Sequence, residues 1–282
     1  MSGTLYVVAT PIGNLEDITL RALRVLRDVD VIAAEDTRRT ARLLSHHAIS
    51  TRTVSFHEHN TRSRVPQLVS RLEAGDDVAI VTDAGTPGVS DPGLELVQAA
   101  IDRNIAVDPI PGASAPLTAL IASGFPMAPF TMLGFVPSRP KARTEWLEGA
   151  AKIPHTFSFF EAPHRIEATL REAGNLFGGR PILTARELTK IHQEMLRGTA
   201  SELSERLSNP RGEFTIVVGP QNKPLETNKI QLDDAEIVNE FWRIAQTAQG
   251  SRRQIVTDLA KRSGRTAREV YSAIDRAKKL VI

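Results

Sequence analysis

No cysteine occurs in the 282 residues, which excludes disulfides, thiolate metal sites and a cysteine nucleophile. No apolar run approaches the length of a bilayer span. The opening "MSGTLYVVATPIGN" lacks the basic start of a secretory signal and reads as a strand. A strong charge is missing too. The 35 Lys and Arg against 33 Asp and Glu leave a net of +2, so the chain as a whole is no polyelectrolyte partner for nucleic acid or membrane. Neither a Gly-Lys-Ser/Thr phosphate loop nor a G-x-G-x-x-G fingerprint is present. What remains is an ordinary soluble composition, 41% hydrophobic and 24% charged, with a cytoplasmic location as the expectation.

What is there is alternation. "TLYVVAT", "DVIAAED", "DVAIVTD" and "AVDPIPG" read as short strands, separated by the amphipathic stretches "DITLRALRVLRDV", "TRRTARLLSHH", "RVPQLVSRLEAG" and "DPGLELVQAAIDRN". Asp17 or Thr19 is placed to cap the first helix, and Ser90 to Gly93 read as the start of the fourth. Nearly continuous apolar strands in such an alternation predict a mainly parallel sheet covered on both faces. From "FTMLGFVP" onward "HTFSFFEAP", "PILTARELT" and "EFTIVVGP" supply strands for a second α/β domain. The polar, Pro-containing "QNKPLETNKIQ" reads as a linker. The expected organisation is therefore an N-terminal α/β domain (1–116), a second α/β domain (117–220), a linker (221–231) and a small helical domain (232–282).

Three loops at carboxyl ends of predicted strands share one make-up: "ATPIGNLED", "VTDAGTPGVSDPG" and "PIPGASAP". Small residues, Gly and Pro let a backbone approach a ligand closely, and ligands of open α/β sheets bind beyond the carboxyl ends of the strands. The middle loop, from Val81 to Gly93, holds two aspartates and no lysine or arginine. It is therefore not built for a phosphate.

The ordered set "VATPIGNLEDITLRAL", "AEDTR", "TDAGTPGVSDPG", "PGASAPLTAL", "GFVPSRP", "FEAPHRI" and "ARELTKIHQE" resembles the tetrapyrrole methylase superfamily over nearly the whole chain. Relatives usually carry a Gly-Pro-Gly-Asp loop after the first strand; the "TPIGNLED" found here resembles the branch that modifies small-subunit ribosomal RNA. The resemblance implies a two-domain methyltransferase fold with S-adenosylmethionine in the cleft, no metal, and a homodimer. It also implies methylation of the ribose 2′-hydroxyl of a cytidine in the decoding region of 16S ribosomal RNA, on free RNA or the 30S particle. The methyl donor would be held by Asp83, Gly85, Thr86, Ser114 and Ala115, closed by Ile12 from the first loop. Phe160, Glu161, Ala162, Glu187 and Phe214 would contribute from the second domain.

A ribose hydroxyl is a poor nucleophile and gains from a positioned base. Candidates near the expected cleft are Glu35, Asp36, His57, His164, Glu187 and Lys190, with Arg38 beside them; no single one is singled out. His57 and His59 flank Glu58, but no further metal ligands accompany them. Arg38, Arg39 and Arg165 have the geometry to meet RNA phosphates.

From Ser251 onward nine basic residues face three acidic ones, and "IVTDLAKRSGRTAREVYSAIDRA" reads as helix, turn, helix. Ile255, Leu259, Val270 and Ile274 would form its core. Arg252, Arg253, Lys261, Arg262, Arg265 and Arg268 would make an electrostatic platform for RNA backbone. Two other readings remain open on sequence grounds: methylation of a tetrapyrrole (precorrin-type) intermediate, and a nucleic-acid-binding ligand sensor without chemistry.

Overall fold

The computed structural model describes residues 2–207, 210–221, 234–247, 252–263 and 265–279. It comprises two compact units, Met1–Gln221 and Asn222–Ile282. The expected linker falls outside the described residues except for Gln221, which is anchored in the first unit. Its backbone N–H donates to Pro154 O and its side-chain amide to Ala151 O.

Two five-stranded sheets organise the first unit. The N-terminal sheet contains β1 (Thr4–Val8), β2 (Val31–Ala34), β3 (Thr53–Ser55), β4 (Val78–Val81) and β5 (Ala106–Ile110) in the order β3-β2-β4-β1-β5. Every pairing is parallel. The cause lies in the strand sequences: side chains alternate faces, and in β2 and β4 both faces are apolar. Val31, Ala33, Val78 and Ile80 join a core with α3 (Thr61–Glu73) and α4 (Leu94–Ile101). Ile32, Ala34, Ala79 and Val81 join the opposite core with α1 (Leu20–Asp28) and α2 (Thr37–His46). Thr19, not Asp17, caps α1, accepting from the Ala22 N–H; Asp17 ends a short 3-10 turn instead.

The second sheet contains β6 (Phe130–Phe135), β7 (Thr156–Glu161), β8 (Ile182–Arg186), β9 (Glu194–Gly198) and β10 (Phe214–Val218) in the order β6-β7-β10-β8-β9. Only β6 and β7 run parallel; the other pairs are antiparallel. One face packs on α6 (Pro140–Ala151), α7 (Ile166–Phe177) and α8 (Ala200–Arg206), around Phe157, Phe159, Leu170 and Ile216. The other face packs on α5 (Ala115–Ser123) through Ala119 and Leu120, with Ile12 joining from the first loop.

The C-terminal unit has three helices, α9 (Asp234–Thr247), α10 (Arg252–Ser263) and α11 (Ala267–Lys279). The four expected core residues, Ile255, Leu259, Val270 and Ile274, are buried together with Ile237 and Phe241 of α9. Two strands carry no sequence signal. β3 is three residues long, and β9, "EMLRG", is an edge strand of mixed composition.

Arg180 is the fastener of the second sheet's lower end. It is buried, its guanidinium donates to Gly219 O, Ile153 O and His155 O, and it sits 4.9 Å above the Phe157 ring. Arg180→Ala would strand three carbonyls and is expected to cost about 3 kcal/mol. Urea unfolding of the two proteins measures this, and equal midpoints would refute it.

Candidate active site

A parallel sheet sends its loops out at one edge, where no ladder satisfies their peptides. Here they satisfy each other. Thr10 N donates to Gly85 O at 2.8 Å and Gly85 N to Thr10 O at 2.9 Å, tying the loop after β1 to the loop after β4. The Thr10 hydroxyl donates to Thr82 O, and the Thr86 hydroxyl to Ala113 O, which adds the loop after β5. The first loop also meets the second sheet. Asn14 N donates to Thr189 Oγ1 at 3.0 Å, and a Cβ on Gly13 would lie 2.5 Å from Lys190 Cγ, so only glycine fits.

These contacts enclose a cavity of about 360 Å³, within the range of small-molecule sites. Ile12, Asp83, Gly85, Thr86, Ser114 and Ala115 line it from the first sheet's side. Phe160, Glu161, Ala162 and Phe214 line it from the second, with Phe135 and Leu188. Glu187 does not line it. Its carboxylate accepts from the Lys190 ammonium and the Glu213 N–H, both at 2.9 Å. Burial pushes the Glu187 carboxyl up, but these two hydrogen bonds outweigh it and hold the value below the ordinary range. Lys190 also pairs with Glu213 and stays outside the lining.

Among the candidate bases the structure separates roles. Asp36 is the N-cap of α2: it accepts from the Arg38 N–H and pairs with the Arg38 guanidinium, which hold its carboxyl at about 2. Glu35, one residue earlier, lines the cavity, and burial, with the Asp83 carboxylate adding to it, pushes its pKa up. Asp83 is shared three ways. Its Oδ1 accepts from the Asp36 N–H, its Oδ2 meets Arg39 at 3.3 Å, and its own N–H donates to Glu35. His57 Nε2 sits 3.2 Å from Asn60 in the turn after β3, and neither it nor the exposed His164 lines the cavity.

Glu161 and Arg165 are tied into the fold by each other. Glu161 is fully buried and its oxygens accept from the Ala162 N–H, the Thr169 hydroxyl and Arg165. With these three partners inside the fold, it serves as a strut of the cavity wall. Arg165 is drawn inward by the same ion pair at 2.6 Å instead of facing an RNA backbone. Arg38 remains 88% exposed and Arg39 60%, both beside the cavity. In the C-terminal unit Arg253 and Arg268 are exposed, whereas Arg265 pairs with Asp234. The side chains of Arg252, Lys261 and Arg262 lie outside the described residues.

Asp91 was not anticipated. Ser90 at φ +65° and Gly93 at φ +143° keep this segment out of α4, which begins only at Leu94, and Asp91 lines the cavity. Burial pushes its carboxyl up to about 7, with Glu35 and Asp83 adding repulsion and the Thr82 hydroxyl opposing it. The signal was a non-glycine position between glycines and prolines, visible only once the loop's bend is known. Among the described residues no group of three or more His, Asp or Glu is placed to hold a metal.

A family model described as Tetrapyrrole (Corrin/Porphyrin) Methylases matches residues 4–204. The chain belongs to the tetrapyrrole methylases. Among the relatives of this tetrapyrrole methylase is the Ribosomal RNA small subunit methyltransferase I of Halalkalibacterium halodurans. It is 42% identical over 275 residues, which cover 96% of this chain and 94% of that one. The protein of the same name from Micromonospora olivasterospora is 52% identical over 220 residues, 77% of this chain and 70% of that one. Solved structures share the fold. A uroporphyrin-III C-methyltransferase from Thermus thermophilus, complexed with S-adenosylhomocysteine, superposes with a TM-score of 0.55 at 21% identity. That match covers 77% of this chain and 97% of that one. A diphthine synthase superposes at 0.62 with 15% identity, covering 77% and 90%.

Because Asp91 rises from an ordinary 3.8 to about 7, the native state keeps a proton that the unfolded chain has already released between those values. This contribution to stability therefore falls as pH rises from about 4 to about 7 and is level above. The stability of the wild type relative to Asp91→Asn should decline across that window in urea titrations. A difference independent of pH would count against the burial of Asp91.

Proposed function

We propose that this tetrapyrrole methylase transfers a methyl group from S-adenosylmethionine to the ribose 2′-hydroxyl of a cytidine in the decoding region of 16S ribosomal RNA. The observation that carries the proposal is the character of the cavity: apolar walls and an acidic polar lining. Glu35, Asp83 and Asp91 stand against Arg39 alone among the cations of the lining, and Arg39 is already paired. A phosphate would be repelled there, whereas a cationic donor without phosphate suits such a site. The 42% and 52% identities to ribosomal RNA small subunit methyltransferases support the substrate.

S-adenosylmethionine, when bound, supplies a methyl group activated by its sulfonium. Asp83, Gly85, Thr86, Ser114 and Ala115 would hold it, with backbone groups and hydroxyls as hydrogen-bonding partners. Ile12, Phe160, Ala162 and Phe214 would exclude water around the reacting centre. The stitched loops matter because displacement needs donor and acceptor aligned within a fraction of an ångström, and rigid positioning supplies much of the acceleration. Arg38 and Arg39 at the rim, with Arg253 and Arg268 of the C-terminal unit, would meet RNA phosphates and position without reading sequence.

The substrate is small-subunit ribosomal RNA or the particle containing it. A cytoplasmic homodimer belongs to the same reading. Leu117 and Ile121, one turn apart on α5, are 45% and 71% exposed and offer an apolar face to a second copy. No helix of the described residues is long and apolar enough to cross a membrane.

Purified protein, small-subunit particles and radiolabelled S-adenosylmethionine test the activity, with the product mapped by nuclease digestion and mass spectrometry. Label in a cytidine 2′-O-methyl group is expected; a protein that binds the donor yet transfers nothing would be a sensor. Reversing two exposed charges, Arg253→Glu with Arg268→Glu, should raise KM for the particles and leave donor affinity unchanged. The slope of log affinity against log salt should shrink by roughly 1–2. An unchanged slope would remove this unit from the RNA interface.

A further inference from the structure

We propose that Asp91 is the catalytic residue that takes the proton from the acceptor hydroxyl, an inference that rests on the methyltransferase reading above. Three carboxylates line the first-sheet side of the cavity, and two of them accept backbone N–H groups that tie the loops together. Asp83 holds the Asp36 N–H and Arg39, and Glu35 accepts the Asp83 N–H. Among the described residues no salt bridge reaches Asp91, and the Thr82 hydroxyl is the polar side chain beside it.

The backbone holds Asp91 in that position. Ser90 adopts a left-handed φ of +65°, a conformation unfavourable for a residue with a side chain. At Gly93 a Cβ would lie 3.2 Å from Ile80 Cδ1 and 3.4 Å from Pro87 Cβ, at a φ of +143°. Backbone strain of this kind gathers at functional positions. Ser90 also lines the cavity, and a Cβ on Gly134 would lie 3.4 Å from Ser90 Oγ, so the second sheet closes over the loop.

The charged groups around Asp91 set its proton affinity. Glu35 at the end of β2 and Asp83 at the end of β4 repel a further negative charge, and Arg39 of α2 is engaged by Asp83. Across the cavity Glu161 is neutralised by Arg165 and Glu213 by Lys190. A carboxyl raised to about 7 is half ionised at neutral pH and is a better proton acceptor than an ordinary aspartate. In the step itself the acceptor oxygen exchanges its O–H bond for an O–C bond. The methyl–sulfur bond breaks with its electron pair left on sulfur, and the proton passes to the Asp91 carboxylate.

The test compares full-length wild type, Asp91→Asn and Asp91→Glu on small-subunit particles across pH, with S-adenosylmethionine affinity measured by calorimetry. Wild-type kcat/KM should rise with pH through about 7 and then level. Asp91→Asn should lower kcat about 100-fold or more, lose the rise, and weaken donor binding far less than it lowers kcat. Asp91→Glu should keep a rise, displaced in pH. If donor affinity falls in step with kcat, Asp91 anchors the donor's ammonium and the proposal is overturned. Wild-type kcat in the Asn variant overturns it as well. Should the Asn variant fail to fold, the Glu variant decides: a displaced rise supports the proposal and an unmoved one defeats it. A wild type inert on particles would defeat the methyltransferase reading instead, which keeps the two failures apart.

Discussion

The reciprocal hydrogen bonds between Thr10 and Gly85 are the constraint on which the cavity depends. Loops leaving a parallel sheet have no ladder to satisfy their peptides, so each must find a partner or stay in water. By pairing with each other these two loops become a wall. Thr86 then reaches Ala113 and fixes the third loop against the same wall. Ile12 and Gly13, carried on the tied loop, come close enough to Leu188 and Lys190 that any side chain at position 13 would clash. The contact between the two sheets follows from a backbone pairing in one of them.

Charge is distributed around that wall by neighbours, not by residue type. Asp36, Asp83, Glu35 and Asp91 lie close together and end with different properties. A helix N-terminus and Arg38 hold Asp36 ionised, whereas burial and two flanking acids keep Asp91 protonated into the neutral range. Glu161, equally acidic, is neutralised by Arg165 and serves as a strut. Gathering carboxylates in a half-buried pocket is costly, and a cationic ligand offsets that cost. An acidic pocket with apolar walls thus accords with a positively charged methyl donor.

Much of the fold was legible. The apolar runs in β2 and β4 announced strands buried on both faces, and of the two cap candidates Asp17 and Thr19 the structure uses Thr19. β9 was not, because an edge strand paired on one side needs no apolar run. At the site, the three small-residue loops meet at one edge of the sheet, and ten of the eleven residues expected to hold the donor line one cavity. Glu187 is the exception, because two hydrogen bonds turn its carboxylate onto Lys190 and Glu213. The inward turn of Arg165 was hidden as well, since its partner Glu161 lies at the buried end of β7 and sequence does not show which carboxylate loses water.

The sequence by itself determined the alternation of the apolar strands with their helices, apart from β3 and β9, and the small-residue, cation-free make-up of the loop after β4, because each is written in local composition. Only the tertiary structure decided which acids are free. Asp91 reads as the first turn of a helix until the positive φ of Ser90 and Gly93 turns it into the cavity. Its proton affinity then comes from Glu35 and Asp83, brought to it by other strands. Proton affinity depends on distances between groups far apart in the chain, and folding alone sets those distances.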